Sequence, residues 1–329
     1  MESTPTPERY FVSGAAGFIG SHLVETLLEE GNIVTGYDNL SSGKMEWLKG
    51  PLAHADFRLV RADLRDRETL GKALQHHDVV IHLGANADIP GGNADPNLDF
   101  QNGTVATFNI LEEMRSAGVR KILFSSSSTV YGDTLIRPTP ETAGPLLPIT
   151  QYGAGKLAAE GLISAFCELY GMQGWIFRFG NVLGARMGHG VVHDFIDKLK
   201  QNTNALEILG DGHQEKNYFL VEDCIDGMLF AFRRAADGAC DVFNLGTETN
   251  ITVRDIADIV VEEMGLENVQ YKFTGGPRGW PGDVPRVIYD MTKMKNLGWQ
   301  TGYTSAEAVR IAARRLLTQT ESLSAQHRS

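Results

Sequence analysis

Three glycines at three-residue spacing, Gly14-Ala-Ala-Gly17-Phe-Ile-Gly20, stand between an apolar run, Tyr10-Phe-Val-Ser13, and an amphipathic stretch from Ile19 to Glu30. A chain that turns this tightly from strand to helix brings bare backbone and a helix N-terminus together. N–H donors and the helix dipole then favour a pyrophosphate. Gly14, Gly17, Phe18, Ile19 and Gly20 are therefore candidate cofactor contacts. The next apolar strand, Ile33-Val-Thr-Gly-Tyr-Asp38, ends in an acid at the distance expected of a carboxylate that accepts from an adenosine ribose. An acid at position 38 also repels a 2′-phosphate, which favours NAD over NADP. The alternative reading of the loop is a tight structural turn.

Short apolar runs continue to alternate with helical stretches. Phe57-Arg-Leu-Val60 is followed by a helix from about Arg65 to Gln75, and Val79-Val-Ile-His-Leu83 by a helix around Thr104 to Ala117. Lys121-Ile-Leu-Phe124, a long helix from about Tyr152 to Tyr170 and Trp175-Ile-Phe-Arg-Phe179 complete the series. This rhythm predicts an α/β protein, a Rossmann-type doubly wound parallel sheet covered on both faces. Beyond Asn181 the connections become glycine-rich and the elements shorten, with helices near Val191 to Lys200, Asp223 to Arg234 and Val253 to Met264. The last opens with Thr252 and Asp255 at capping-box spacing. The expected division is an NAD-binding domain over 1–181, with its core from about residue 9, and a smaller C-terminal α/β substrate lobe over 182–329. Some elements of the lobe are free to return to the first domain.

Ligands of open parallel sheets gather at strand C-terminal ends. Asp63 and Leu64, past the third strand, are thus candidates for the adenine edge. Leu83, Gly84 and Ala85, past the fourth, are small enough as a group to admit the cofactor backbone. Ordinary loop residues are the alternative at each place. The segment Thr274 to Pro285 is dense in glycine and proline and reads as a loop, either a linker or a ligand contact through Arg278, Trp280 and Asp283.

At 329 residues and 42% hydrophobic content the chain can bury a substantial core. A net charge of -11 argues against a broad nucleic-acid surface. Cys167, Cys224 and Cys240 are odd in number and widely spaced, which suggests neither a disulfide framework nor a metal site and points to the cytoplasm. No apolar run approaches the roughly 20 residues that cross a bilayer, so a soluble protein is expected. Met1 to Arg9 reads as a frayed leader and the tail after about Ser322 as disordered.

The chemistry is concentrated at Tyr152 and Lys156, one helical turn apart in Gln151-Tyr-Gly-Ala-Gly-Lys156. A phenol is a poor base near neutrality, with a reference pKa near ~10, but an ammonium at i+4 stabilises its phenolate. Ser127 ends the fifth strand within the hydroxyl run Ser125-Ser-Ser-Ser-Thr129. The expectation is that Ser127 bonds the reacting oxygen, Tyr152 exchanges its proton, and Lys156 lowers the phenol pKa while holding a nicotinamide ribose. A surface pair on an amphipathic helix is the competing reading. His82, His189, His193 and His213 are not needed by this chemistry and read as core or solvated residues.

These residues together identify a resemblance to the extended short-chain dehydrogenase/reductases, in particular the NAD-dependent nucleotide-sugar 4-epimerases. It spans almost the whole chain. The matching motifs are the glycine loop, Tyr37-Asp-Asn-Leu-Ser-Ser42, Phe124-Ser-Ser-Ser-Ser-Thr-Val-Tyr-Gly132, Tyr152-x-x-x-Lys156, Arg178-Phe-Gly-Asn181, Gly210-Asp-Gly212 and Gly282-Asp-Val-Pro285. The resemblance implies that Asn39, Ser42 and Ser125 also contact NAD, that Asn102 lies near the nicotinamide, and that Ser127, Tyr152 and Lys156 are the catalytic trio. It further implies that Ser128, Asn181, Arg186, Val191, Lys216, Arg278 and Asp283 meet a nucleotide-sugar substrate, with a UDP-sugar favoured. Arg186 suits a diphosphate, a uronate carboxylate or solvent. Helices at 104–117 and 152–170 resemble those that pair across a dimer in this family, which implies a homodimer.

Related dehydratases and decarboxylases usually carry an acid in the strip that is Ser127-Ser128-Thr129 here, so its absence favours 4-epimerisation. A 4,6-dehydratase or decarboxylase, and a non-enzymatic NAD-sensing scaffold, are the alternatives. The chain departs from the family pattern at Ala87, at Gly190-Val191 and at Lys216, where an arginine is common. Val287 stands at the expected gatekeeping position and leaves room for an N-acetyl group.

Overall fold

The computed structural model describes residues 7–86, 88–235 and 238–326. Ala87 and the first six residues of the expected leader lie outside them. Successive elements are β1 (Arg9–Ser13), α1 (Phe18–Glu29), β2 (Ile33–Asp38), β3 (Phe57–Arg61), α2 (Arg67–Leu74), β4 (Val79–His82), α3 (Ile89–Ala94) and α4 (Pro96–Asp99). A π-helical turn over Phe100–Val105 leads into α5 (Ala106–Ala117), followed by β5 (Lys121–Ser127), α6 (Gln151–Tyr170) and β6 (Gln173–Phe179). Then come β7 (Asn181–Leu183), α7 (Val191–Gln201), β8 (Ala205–Ile208), β9 (Glu215–Lys216), β10 (Tyr218–Leu220), α8 (Val221–Arg234), β11 (Cys240–Leu245) and β12 (Ile251–Thr252). The chain ends with α9 (Val253–Glu263), β13 (Gln270–Phe273), α10 (Thr292–Leu297) and α11 (Ser305–Gln326), so helix continues past the point where a disordered tail was expected.

Seven strands form the main sheet in the order β11-β6-β5-β4-β1-β2-β3. The pairs β1/β2, β1/β4, β2/β3 and β4/β5 are parallel, as alternating strands and crossover helices require. Strand order reverses between β1 and β4, the switch point where such sheets bind ligands. Phe11, Val80, Ile122, Phe124 and Ile176 from the strands pack with Leu70, Ile110, Met114 and Ile163 from α2, α5 and α6 in one buried cluster.

Two compact units divide the chain, and the division is more interleaved than a single cut near residue 181. One unit holds the chain up to Val130, Pro148–Arg178 and Ala231–Phe243; the other holds Tyr131–Leu147, Phe179–Phe230 and Asn244 onward. The physical reason for the return is β11, which extends the main sheet beyond β6. Within the second unit β7 pairs with β10 and β8 with β13 in parallel, while β9 and β12 are antiparallel. Thr252 and Asp255 form the expected reciprocal capping box on α9.

His82 has a structural task at the end of β4. Its Nδ1 lies 2.7 Å from Ser13 Oγ and its Nε2 lies 3.0 Å from Thr107 Oγ1, while the Thr107 hydroxyl donates to Gly103 O at 2.7 Å. With the threonine proton committed to that carbonyl, Nε2–H must donate and Nδ1 must accept from Ser13, whose oxygen accepts in turn from Gly84 N. The chain of bonds runs from the Gly84 loop through β1 and β4 to the π-turn, and it needs a neutral ring. Burial, with Lys156 nearby, pushes the ring down to about 3. Stability from this group is therefore present above pH ~6.5 and is lost as pH falls toward 3, because only the unfolded chain takes up the proton. Below pH ~6.5 the loss approaches ~1.4 kcal/mol per pH unit. In denaturant unfolding between pH 6.5 and 5, His82→Gln is expected to lower stability near neutrality and to flatten the pH slope by up to that amount.

Candidate active site

The turn from β1 to α1 is built for close approach. Gly14 has φ 73°, and a Cβ there would lie 2.8 Å from Gly84 N; a Cβ at Gly20 would lie 2.0 Å from Gly14 O. Gly17 N donates to Gly14 O at 3.1 Å, and α1 starts at Phe18 with no capping side chain and no acid in its first turn. The amides at Phe18 and Ile19 thus head a helix that nothing negative already occupies. Asp38 Oδ2 accepts from Ala16 N at 2.9 Å and Oδ1 from Leu40 N at 2.8 Å, which fixes the carboxylate beside the loop. Each oxygen keeps acceptor capacity for a ribose hydroxyl. The glycine cradle, open helix end and oriented acid fit a dinucleotide.

The other candidates around this cradle differ in their commitments. Asp63 accepts from Arg65 Nε and Nη2, both at 2.8 Å, and from Asn39 Nδ2 at 3.0 Å. The Arg65 guanidinium holds its carboxyl well below the usual carboxylate range. Asp63 and Asn39 are therefore partners of each other. Leu64 packs against the buried cluster, with its side chain 3.1 Å from where a Cβ on Gly84 would lie. Leu83 N bonds Ser13 O at 3.2 Å, Ala85 is partly buried on the same loop, and Ser42 is exposed.

α6 carries the expected catalytic pair. It begins after Thr150, whose hydroxyl caps Gly153 N at 3.0 Å, so Tyr152 and Lys156 fall in its first two turns. Ser127 stands near enough to the Tyr152 phenol to act on its proton affinity, and its own Oγ accepts from Thr129 N at 3.2 Å. Lys156, 4% exposed, donates to Ser125 O at 2.5 Å, and its Nζ lies 4.8 Å from the Phe124 ring centre. Ser125 Oγ donates to His82 O at 3.2 Å, so this serine holds the lysine and β4 together. Ser128 and Asn102 are partly buried, and Asn102 stands in the π-turn with its amide on Leu98 O at 2.9 Å. Such turns recur at functional sites because they re-aim one residue without breaking the helix.

The expected pKa effect of Lys156 on Tyr152 is corrected by this geometry. The ammonium is drawn to β5 and stands 5.6 Å from the phenol ring centre. Burial pushes Tyr152 up to about 12, Asp99 adds to the rise, and Ser127 opposes it. Burial pushes Lys156 down to about 8 against the pull of Glu160 and Asp99. Asp99 and Glu160 had no place in the sequence-based site, since neither stands in a motif.

Glu160 lies one turn beyond Lys156. Arg178 Nε and Nη2 bind its two oxygens at 3.0 and 2.7 Å, and Ser126 Oγ donates to Oε1 at 2.5 Å. Both side chains of the ion pair are buried.

In the second unit, three expected substrate residues converge. Lys216 Nζ pairs with Asp283 Oδ1, Gly279 N donates to Asp283 Oδ2 at 3.0 Å, and Arg278 Nη1 donates to Asp283 O. Arg278 Nη2 also reaches Asp133 Oδ2 at 2.5 Å. Both cations are thus balanced by carboxylates, and Asp133 is a member that spacing alone did not reveal. Asn181 is apart from them, with its amide on Asn217 O at 2.9 Å. Arg186 adopts φ 68°, and Val191 opens α7 after Gly190, which has φ 110° and no capping side chain. Among the described residues no cluster of histidine, cysteine and carboxylate side chains is arranged to hold a metal, and no helix is long and apolar enough to cross a membrane.

The switch-point sheet and glycine cradle define a dinucleotide-binding protein of the Rossmann class. Residues 10–246 match the profile of the NAD dependent epimerase/dehydratase family, and the chain belongs to that family. A putative UDP-glucose 4-epimerase of Methanocaldococcus jannaschii is 33% identical over 308 residues, 91% of this chain and 95% of the relative. UDP-glucuronic acid decarboxylase 5 of Arabidopsis thaliana is 32% identical over 89% of this chain and 84% of its own length. A crystal structure of a UDP-galactose 4-epimerase superposes with a TM-score of 0.85 at 39% identity, covering 94% of this chain and 99% of that one.

The ion pair under α6 gives a direct check. Glu160→Ala removes the carboxylate that balances the buried Arg178 charge and is expected to cost about 3–5 kcal/mol in denaturant unfolding. The double replacement Glu160→Leu with Arg178→Met is expected to recover most of that loss.

Proposed function

We propose that the protein is an NAD-dependent nucleotide-sugar 4-epimerase acting on a UDP-sugar, with UDP-glucose and UDP-galactose as its first candidates. The observation that carries this reading is the grouping of Ser127 and Tyr152 with buried Lys156, in a strip, Ser127-Ser128-Thr129, that holds no carboxyl. Gly14, Gly17, Phe18, Ile19 and Gly20 hold the pyrophosphate; Asp38, Asn39 and Ser42 face the ribose side; Asp63 and Leu64 the adenine; Leu83, Gly84, Ala85, Asn102 and Ser125 the remainder of NAD. What bound NAD supplies is reversible acceptance of the sugar C4 hydrogen as hydride and a positive ring charge that offsets the burial cost of a phenolate.

Ser127 orients O4, and Tyr152 takes the O4 proton and later returns it. Lys156, anchored on Ser125 O, holds the ribose side and keeps a positive charge near the phenol. The resulting 4-keto sugar finds no strip acid to expel a C6 hydroxyl. Its remaining course is to turn its other face and be reduced. In the second unit Ser128 aside, Asn181, Arg186, Val191, Lys216, Arg278 and Asp283 supply the nucleotide contacts, with Lys216 and Arg278 exchanging carboxylate partners for phosphate oxygens.

The small side chain of Val287 supports acceptance of an N-acetyl group. Phe108 on α5 and Leu169 on α6, 41% and 71% exposed, support a homodimer through these helices. The three free cysteines accord with a cytoplasmic protein.

Incubation with UDP-glucose, UDP-N-acetylglucosamine and UDP-glucuronate, followed by mass-resolved product analysis, tests the reading. An isobaric epimer is expected, falling about a hundredfold or more with Tyr152→Phe. Loss of water or carbon dioxide instead assigns a dehydratase or a decarboxylase.

A further inference from the structure

Asp99 closes α4 and immediately precedes the π-turn, with 3% of its surface exposed. Its Oδ1 accepts from Asn86 Nδ2 at 3.0 Å, while its Oδ2 is enclosed and has no hydrogen-bond partner among the described residues. A Cβ on Gly92 would lie 2.1 Å from Oδ2, so α3 carries glycine where a side chain would displace the carboxyl group. The Asp99 backbone carbonyl would lie 3.4 Å from a Cβ on Gly155, in the α6 turn between Tyr152 and Lys156. Room has been left on α3 for the carboxyl group of a residue whose backbone packs against the turn between Tyr152 and Lys156, and one of its oxygens serves no structural bond. Leaving such an atom buried and unpaired costs about 1–3 kcal/mol, a cost that packing alone does not call for.

We propose that Asp99 is a positioning residue of the acid-base site, whose negative charge sets the proton affinities of Tyr152 and Lys156 and thereby the pH range in which they work. The inference rests on the reading of Tyr152 as the proton-exchanging group. A carboxylate here opposes a phenolate on Tyr152 and favours an ammonium on Lys156. The other groups that bear on it are Asp88, ahead of α3, which repels its charge, and Asn86, which stabilises it. Glu160 on α6 favours the Lys156 ammonium, and Lys156 in turn helps to keep His82 on β4 neutral. Burial raises the Asp99 carboxyl, so its charge is lost at a higher pH than that of an exposed aspartate. Protonating Asp99 would favour the phenolate of Tyr152 and weaken the hold of Lys156 on its proton.

The test is Asp99→Asn in the full chain, read two ways. In NAD-loaded protein, both limbs of the pH profile of kcat/KM are expected to move to lower pH by about half a unit or more. In NMR titration of 13C-lysine-labelled protein, with Lys156→Met for assignment, the Lys156 midpoint is expected to fall in the same direction. Limbs and midpoint that stay in place while activity or stability drops would make Asp99 merely structural and overturn the inference. A shifted Lys156 midpoint in a protein that turns over no nucleotide sugar would keep the electrostatic assignment and sink the functional reading instead. Should Asp99→Asn not fold, Asp99→Ser removes the same charge with a smaller side chain, and a shift in the same direction is expected; no shift there overturns the inference equally.

Discussion

The buried ion pair between Glu160 and Arg178 fixes the helix on which the site depends. Two parallel N–H···O bonds and a third from Ser126 satisfy a carboxylate that has left water, which is the condition under which a buried pair is tolerable. The consequence for the site lies in register. Two consecutive residues of β5 each hold α6 by a different atom, Ser125 by its carbonyl on Lys156 and Ser126 by its hydroxyl on Glu160, while Ser127 stands next in line beside the Tyr152 phenol. Tyr152, Lys156 and Glu160 fall four residues apart, so one face of α6 is stitched along the end of one strand. A shift of α6 by one residue would break both attachments together and carry the phenol away from Ser127.

The same stitching explains the electrostatics. Burial makes both a phenolate at Tyr152 and an ammonium at Lys156 expensive, so the pair is held far from its solution behaviour and is sensitive to any charge placed nearby. Lys156 keeps its charge through a carbonyl and the Phe124 ring, with Glu160 beyond. The positive charge that a bound oxidised nicotinamide brings is what the phenol lacks in the protein alone.

Much of the fold was legible because the apolar runs are short, bounded and alternate with amphipathic helices. Six strands of the main sheet were placed within about three residues of their observed ends. β11 was missed since it lies far along the chain from its neighbour β6, and pairing over that separation leaves no local pattern. α3, α4 and α10 are too short for periodicity to show. The glycine loop and the Tyr152 to Lys156 spacing were readable because their chemistry demands fixed intervals. Asp99, Asp133 and Glu160 were not, since each acts through tertiary placement. The direction of the Tyr152 shift was misjudged for a related reason: i+4 spacing gives proximity on a helix, whereas the carbonyl of Ser125 decides where the lysine points.

The measurement that bears most directly on this mechanism is the fate of a label at the reacting carbon. UDP-galactose deuterated at sugar C4 should give a C4 epimer that keeps its deuterium in ordinary water, because the hydrogen leaves to the cofactor and returns from it while only the O4 proton passes through Tyr152. Solvent hydrogen at C4 of the product would instead mean that the carbon itself is deprotonated, and the assignment of Ser127, Tyr152 and Lys156 to oxidation and return would be wrong.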